Sequence, residues 1–273
     1  MLGFARCATG HALYTRRWGK EELVVSAYVD DLIITGVHAE DIDGFKREMA
    51  AHFRMSDLGT LSYYFSIEVK QGKEALMLGQ SAYAAKLLER SSMADCKPCT
   101  TPMEKRLKLS KASTAVKVDA ILYRSIVGGL RYLVHTRLDI AFIVGYVSHF
   151  MEDPLVDHWA TVKWLLRYVK WTVDQGIVFP KTGGRSWLWL TIFSDAGMVG
   201  DIDGWKSTSG VLVFLGSAPI SWLSLKQKVV ALSTCETEYV AVATAACQVV
   251  WPRRLLGELT GEEARPSALM VDN

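Results

Sequence analysis

Two acidic groupings in this chain have the residue types and spacing that phosphoryl chemistry needs. Tyr28-Val29-Asp30-Asp31 sets adjacent carboxylates between two apolar runs, residues 23–29 and 32–34. Neighbours in a strand point to opposite faces, so only a tight turn brings both near one ion. Paired carboxylates suit Mg²⁺, which takes one or two such ligands and completes its shell with water and phosphate oxygens. The same Asp-Asp pair could equally do no more than form a hairpin turn. The second grouping is dispersed. Asp195 follows an apolar and aromatic stretch from Trp187 to Phe193, Glu236 and Glu238 open a long helical pattern, and Asp272 ends Leu269-Met270-Val271. Carboxylates from a strand end, a helix start and a second strand end could hold two ions ~3.5–4 Å apart, which clamp the attacking and leaving oxygens of a phosphodiester. Singly, each is also an ordinary surface acid.

Helix geometry separates the two glutamates. Ser233 and Glu236 form Ser-x-x-Glu ahead of an apolar run, a capping-box pattern that gives Glu236 a local task. An apolar stripe of Cys235, Tyr239, Val242, Ala246 and Val249 is expected to face the sheet. At roughly 100° per residue Glu238 borders that stripe and Glu236 lies on the far side. Glu238 is therefore the glutamate expected to approach Asp195.

A third candidate is basic. Residues 97–137 hold nine Lys/Arg against Glu104 and Asp119, a net of +7 in a chain whose overall charge is only +2. Lys105, Arg106, Lys108, Lys111, Arg124 and Arg131 could neutralise phosphates, with Tyr123 and Tyr132 available to stack on sugars or bases. The alternative is a solvated loop and a helix whose arginines face water. Cys96-Lys97-Pro98-Cys99 has CxxC spacing, but no second Cys/His pair follows for zinc, and no helix starts there for redox chemistry. It reads as a structural loop.

The elements that must position these groups are legible as an α+β pattern. Val, Ile and Tyr enrichment predicts strands on either side of Asp30-Asp31, and Ile42, Phe45, Met49 and Phe53 predict a helix over 40–54. A hairpin is expected over 61–78 across Gly72, then a helix over 81–90. A helical block follows, with one stripe at Leu122, Ile126, Leu130 and Leu133, a buried helix over 140–151, and a second stripe at Trp159, Val162, Leu165, Leu166 and Val169. Lys181-Thr182-Gly183-Gly184-Arg185-Ser186 reads as a domain boundary. Strands near 187–194, 209–215 and 219–225 and a long helix from about 233 complete a small α/β unit.

Composition bounds the class. Half of the 273 residues are hydrophobic and 22% are charged, which excludes disordered, collagen-like and disulfide-rich chains. Five cysteines, an odd count, fit a reducing compartment, and the first residues lack the apolar run of a signal peptide. A cytoplasmic or nuclear, non-secreted protein is expected. The uncharged stretch 207–225 is broken by Ser, Gly and Pro, and 239–252 is too short to cross ~30 Å of hydrocarbon, so no membrane partner is expected.

Taken together, these strings resemble copia-type retrotransposon Pol polyproteins across nearly the whole chain. AYVDDLIITG is similar to the polymerase hairpin of that family's reverse transcriptases. MSDLG, YRSIVGGLRYL, TRLDIAF and LLRYVKWT resemble the segments that follow it. FSDAG, GDIDGWKSTSG, PISW, KQKVVALSTCETEY and the final VDN resemble its ribonuclease H domain. The resemblance implies a reverse-transcriptase palm portion with the basic loop over 1–115, a helical thumb or connection region over 116–180, and a ribonuclease H-like α/β domain over 185–273. It implies Asp30 and Asp31 as palm metal ligands, and Asp195, Glu238 and Asp272 as ribonuclease H catalytic and metal-binding carboxylates. The family's cofactor is Mg²⁺ or Mn²⁺, and its partners are an RNA template, a DNA primer and the RNA·DNA hybrid.

Departures temper what the resemblance implies for activity. Only 29 residues precede Asp30, and one residue follows Asp272. A truncated palm, an incomplete ribonuclease H site and an inactive chain, with neither polymerase activity nor hybrid cleavage, are therefore expected. Gly197, Trp171, Leu138 and Pro252 stand where the family has aspartate, glycine, proline and leucine. Pro252 in particular is expected to kink or end its helix. The alternative is a noncatalytic nucleic-acid-binding remnant or the product of a decayed element.

Overall fold

The computed structural model describes residues 3–18, 21–112, 114–181, 188–197, 200–261 and 266–271. The fold is α+β, as the sequence predicts, and divides into two compact units: Met1–Leu61 with Gln248–Pro266, and Ser62–Cys247 with Ser267–Asn273. The expected boundary segment at 182–186 lies outside the described residues.

The first unit is an antiparallel meander, β1 (Ala5–Arg6), β2 (Leu13–Trp18), β3 (Glu21–Tyr28) and β4 (Asp31–Gly36), followed by helix α1 (Ala39–His52). The period-2 pattern of β3 turns Leu23 and Val25 onto Phe45 of α1, and all three are buried. Burying each such side chain stabilises by roughly 1.5–3 kcal/mol. Arg16 of β2 lies over the Phe4 ring at 4.8 Å and pairs with Glu48 of α1 at 2.9 Å. Glu258, from the chain's last helix, accepts the Thr9 backbone N–H at 2.9 Å and so fastens the β1–β2 loop.

The second unit opens with β5 (Tyr63–Tyr64), β6 (Ile67–Gln71), β7 (Ala75–Gly79) and helix α2 (Ser81–Arg90). After a long loop come α3 (Ala120–Leu133), a 3₁₀ turn (Leu138–Ile140), α4 (Ala141–Ser148), α5 (Val156–Trp171) and β8 (Gly176–Pro180). Asp119 caps α3, accepting from the Ile121 and Leu122 N–H groups at 2.8 and 3.2 Å. The α3 seam is Tyr123, Ile126, Val127, Leu130 and Leu133, packed on Val162, Leu165, Leu166 and Val169 of α5. Leu122, expected in that seam, is exposed, because the helical period carries Tyr123 inward instead. Strand β8 was not foreseen. It completes an antiparallel sheet in the order β5-β6-β7-β8, with Gly176 opposite Gly79. A Cβ at Gly176 would lie 2.1 Å from the Leu78 carbonyl oxygen, so only glycine admits this pairing.

A second sheet follows, of β9 (Leu190–Gly197), β10 (Thr208–Leu215), β11 (Ala218–Lys226) and β12 (Ala268–Val271), reached through α6 (Thr234–Thr260). Its order is β11-β10-β9-β12, with β12 parallel to β9 and the other pairs antiparallel. Helix α6 continues through Pro252, which therefore does not end it. No helix among the described residues is long and apolar enough to cross a membrane.

Candidate metal and nucleic-acid sites

The Asp30–Asp31 hairpin turns one residue earlier than the sequence suggests. Tyr28 pairs with Asp31 across β3 and β4, leaving Val29 and Asp30 as a two-residue turn. Val29 has φ +52° and is 88% exposed. Positive φ is strained for a β-branched residue, at a cost of about 1–3 kcal/mol. Both aspartates are exposed, one in the turn and one opening a strand, so strand alternation does not force them apart.

Around β9 the register decides which side chains meet. Leu190, Ile192 and Ser194 are buried, opposite Leu215, Val213 and Val211 on β10. Asp195 is exposed one residue beyond Ser194, across from Gly210. Gln227, at the end of β11, ties the sheet to α6: its Nε2 donates to Ser209 Oγ and to the Thr237 carbonyl, both at 3.0 Å.

The face that α6 presents differs from the expected stripe. Cys235, Tyr239 and Ala246 are exposed, while Thr237, Ala241 and Ala245 form the fully buried seam. These side chains are small, so the buried face carries little hydrophobic signal. Glu236 performs the expected local task. Its N–H donates to Ser233 Oγ at 3.1 Å, and its Oε2 accepts the Leu232 N–H at 2.8 Å. Glu238, next to Thr237, is half-buried, and its Oε2 is enclosed with no hydrogen-bond partner. A buried carboxylate oxygen left unsatisfied costs free energy that a cation would relieve.

Asp272 lies outside the described residues, although the strand leading to it places Val271 beside Ser194 of β9. Among the described residues, no three His, Cys, Asp or Glu side chains are grouped to hold an ion. All donors in the sequence-derived set are carboxylate oxygens, the ligand chemistry of Mg²⁺ and Mn²⁺.

The basic segment is partly open and partly consumed by the fold. Lys105, Arg106, Lys108, Lys111, Arg124 and Arg131 are all exposed. Arg124 Nη1 also donates to the Met151 carbonyl at 3.1 Å. Tyr123 is not available for stacking: it is fully buried, its hydroxyl donating to the Val147 carbonyl at 2.9 Å, and burial pushes its pKa far up. Tyr132 is occupied too, packed edge-on against Tyr83 at 5.1 Å with its hydroxyl on the Phe65 carbonyl. Arg137, the last cation of the run, is buried against Asp139 at 2.8 Å. The CxxC segment is a loop laced to α5. Trp164 Nε1 donates to the Thr101 carbonyl, Arg167 Nε to that of Lys97 and Lys170 Nζ to that of Cys96, at 2.9, 2.6 and 2.8 Å. Burial pushes the Cys99 thiol up, which suits a structural cysteine.

Sequence reasoning gave no role to the aspartates of GDIDGW. Asp203 accepts from Ser110 Oγ and the Lys111 N–H, at 2.5 and 2.8 Å, and buried Asp201 pairs with Lys226. Nor did it find His149, whose Nδ1 is enclosed without a partner. An unpaired buried nitrogen arises from tertiary packing and leaves no trace in spacing.

Residues 1–105 match the family described as reverse transcriptase (RNA-dependent DNA polymerase). The whole chain is 38% identical to the retrovirus-related Pol polyprotein from transposon RE1 of Arabidopsis thaliana, covering 18% of it. It is 37% identical, over 90% of its length, to the Pol polyprotein from transposon TNT 1-94 of Nicotiana tabacum, covering 19% of that protein. An uncharacterized mitochondrial protein of Arabidopsis thaliana is 37% identical over 82% of the chain, which covers 92% of it. The chain thus spans about a fifth of the length of the polyproteins it matches. No solved structure matches it.

Proposed function

Because the chain belongs to the family of copia-type retrotransposon Pol polyproteins, we propose that it acts on RNA·DNA hybrids. In this reading the β9–β12 sheet and α6 form a ribonuclease H-like unit, and Asp195, Glu238 and Asp272 are its catalytic carboxylates. The observation that carries the proposal is Glu238 Oε2, a carboxylate oxygen held out of water with no protein partner, on a helix fastened to the sheet that bears Asp195. The strand order supports it. Ligands of open sheets gather at the carboxyl ends of parallel strands, and the pairing of Val271, the last residue of β12, with Ser194 sets the end of that strand next to Asp195.

The three carboxylates would hold Mg²⁺ or Mn²⁺, which when bound supplies Lewis acidity at the scissile phosphate and a more acidic water. The chain's own task is to fix the carboxylates before substrate arrives. The Gln227–Ser209–Thr237 hydrogen bonds hold the first turn of α6 against β10, and Glu236 is kept from competing by its bond to Leu232. The Asp30–Asp31 hairpin is the palm's metal-binding turn in this reading. Primer extension by the chain alone is not expected, since no third carboxylate joins the pair among the described residues.

The test is cleavage of a labelled RNA·DNA hybrid with and without Mg²⁺ or Mn²⁺. Metal-dependent cutting of the RNA strand is expected, falling at least 100-fold in Glu238→Gln with the fold retained, the loss typical of removing an essential catalytic group. Cleavage that survives this substitution would refute the assignment. Exposure of Lys105, Arg106, Lys108, Lys111 and Arg131 favours a second reading, a noncatalytic nucleic-acid binder. Salt-sensitive, metal-independent hybrid binding without cleavage would select it.

A further inference from the structure

In the first unit, β4 is the edge of its sheet: it pairs with β3 on one side, and no other strand pairs with it among the described residues. Backbone geometry fixes what that edge presents. The Ala27 N–H donates to the Ala12 carbonyl at 2.8 Å, away from β4, so Ala27 and its partner Leu32 share no hydrogen bond. Hydrogen-bonded and non-hydrogen-bonded pairs alternate along an antiparallel ladder, so Leu32, Ile34 and Gly36 all turn their N–H and C=O groups outward. The two edges of this sheet differ in how they discourage a further strand. At the far side, β1 is two residues long and carries Arg6. By contrast, β4 is six residues, Asp-Leu-Ile-Ile-Thr-Gly, in unbroken register with β3, and beyond Asp31 it holds no charge, proline or bulge. Such an edge is a template for another strand. Leu32, Ile33 and Ile34 are each half-buried, with apolar surface still to cover.

We propose that this edge pairs with β4 of a second copy of the chain, antiparallel about a two-fold axis through Ile33, joining two four-stranded sheets into one. The strand is complementary to itself. An antiparallel partner must set outward-facing backbone groups opposite outward-facing groups. Two self-pairings that keep most of β4 in register do so, one centred on Ile33 and the other on Ile34. The first sets Leu32 against Ile34 of the second copy, Ile34 against its Leu32, and Ile33 against its Ile33, so every large apolar residue meets another. The second sets Leu32 against Gly36 and Ile33 against Thr35. Packing of cross-strand pairs favours the first. Charge permits it as well: Asp31, the only charged residue of the strand, falls opposite Thr35 of the second copy and never opposite another acid. The contact uses the same strand on both copies and therefore closes as a dimer. It is independent of Asp195 and Glu238, which belong to the other unit.

The test is the mass of the whole chain in solution, followed by sedimentation velocity as protein concentration rises. Expected is a shift from 30.4 kDa to twice that value. Position 35 then reports the register. Thr35→Lys should tighten the dimer about tenfold, because symmetry gives two new pairs with Asp31, and Thr35→Asp should loosen it by a similar factor through like charges set opposite. Thr35 is exposed, so both variants should keep the fold, with thermal melting as the control; a tightened dimer cannot come from misfolding. Covalent trapping locates the axis. In a chain carrying Cys235→Ser and Cys247→Ser, which removes the exposed thiols, Ile33→Cys should form a disulfide-linked dimer under mild oxidation. Residue 33 there faces its own copy in the closer, non-hydrogen-bonded kind of pair. Thr35→Cys in the same background should not crosslink. Glu238→Gln should dimerise like the parent, so loss of hybrid cleavage and loss of dimerisation are separable failures. A mass of 30.4 kDa at every concentration, assembly that grows past the dimer, or a dimer indifferent to charge at position 35 and untrapped by Ile33→Cys would overturn the proposal.

Discussion

At the scale of single residues, the decisive distinction is between charges that the fold consumes and charges that it leaves for ligands. Arg137 belongs to the basic run by sequence, yet its guanidinium donates to both Asp139 oxygens and to the carbonyl and hydroxyl of Thr172. It pins the 3₁₀ turn before α4 to the end of α5. Arg137→Ala would leave Asp139 without its counter-charge, and a loss of order 3 kcal/mol is expected in denaturant unfolding. Acidification should expose the same pair. Burial pushes the Asp139 pKa up, but the hydrogen bonds and charge of Arg137, with the Tyr168 hydroxyl, pull it below the ordinary aspartate value of 3.8. The folded state therefore holds its proton less tightly than the unfolded chain, so the pair's contribution is full above that value and fades as pH falls below it. Between pH 5 and pH 3 the parent should lose stability more steeply than Asp139→Asn; parallel curves would remove the pair from the account. By contrast, Glu238 Oε2 is an enclosed atom with no hydrogen-bond partner, and the proposed carboxylate site rests on it.

At the scale of elements, two adjacent glycines in α3 offer a controlled comparison. Gly128 is exposed, and a Cβ there meets nothing within 4 Å, so Gly128→Ala should stabilise by about 1 kcal/mol through helix propensity alone. At Gly129 the same atom would lie 2.6 Å from a methyl of Leu87, itself buried in α2, so Gly129→Ala should destabilise by about 1–3 kcal/mol despite the identical gain in propensity. Thermal melts of the two variants should move in opposite directions. This contrast also explains which elements were legible in the sequence. Helices α1, α2, α3 and α5 announce themselves because large apolar residues recur at helical spacing, although only the fold settles whether Leu122 or Tyr123 leads the α3 seam. The seam of α6 is Thr237, Ala241 and Ala245, too small to stand out beside exposed Tyr239. Strand β8 is five residues following a helix, and only its partner β7 makes it a strand. The carboxylates were legible by type and order, and the hairpin to within one residue. The packing of α4 against β11 was not, because residues 141–148 and 218–226 are connected by no local pattern.

At the scale of the whole molecule, net charge conceals what matters for nucleic acid. An overall +2 predicts no electrostatic partner, while the exposed cations of residues 105–131 sit on a single unit. Phosphate neutralisation releases condensed counterions, so each contact made by such a cation contributes about 0.9 to the slope of log affinity against log salt on duplex DNA. The side chains of Lys105, Lys108 and Lys111 are exposed and hold no ion pair among the described residues, so replacing all three with glutamine should leave unfolding within about 0.5 kcal/mol of the parent. If these residues meet the strand backbone, the same triple substitution should lower the salt slope of duplex or hybrid binding by up to about 3, with affinity falling most at low salt. A slope that does not move would mean the basic loop is a solvated surface. Nucleic-acid contacts would then have to come from other groups, the exposed Arg106, Arg124 and Arg131 among them, whose phosphate contacts would keep a salt dependence of their own.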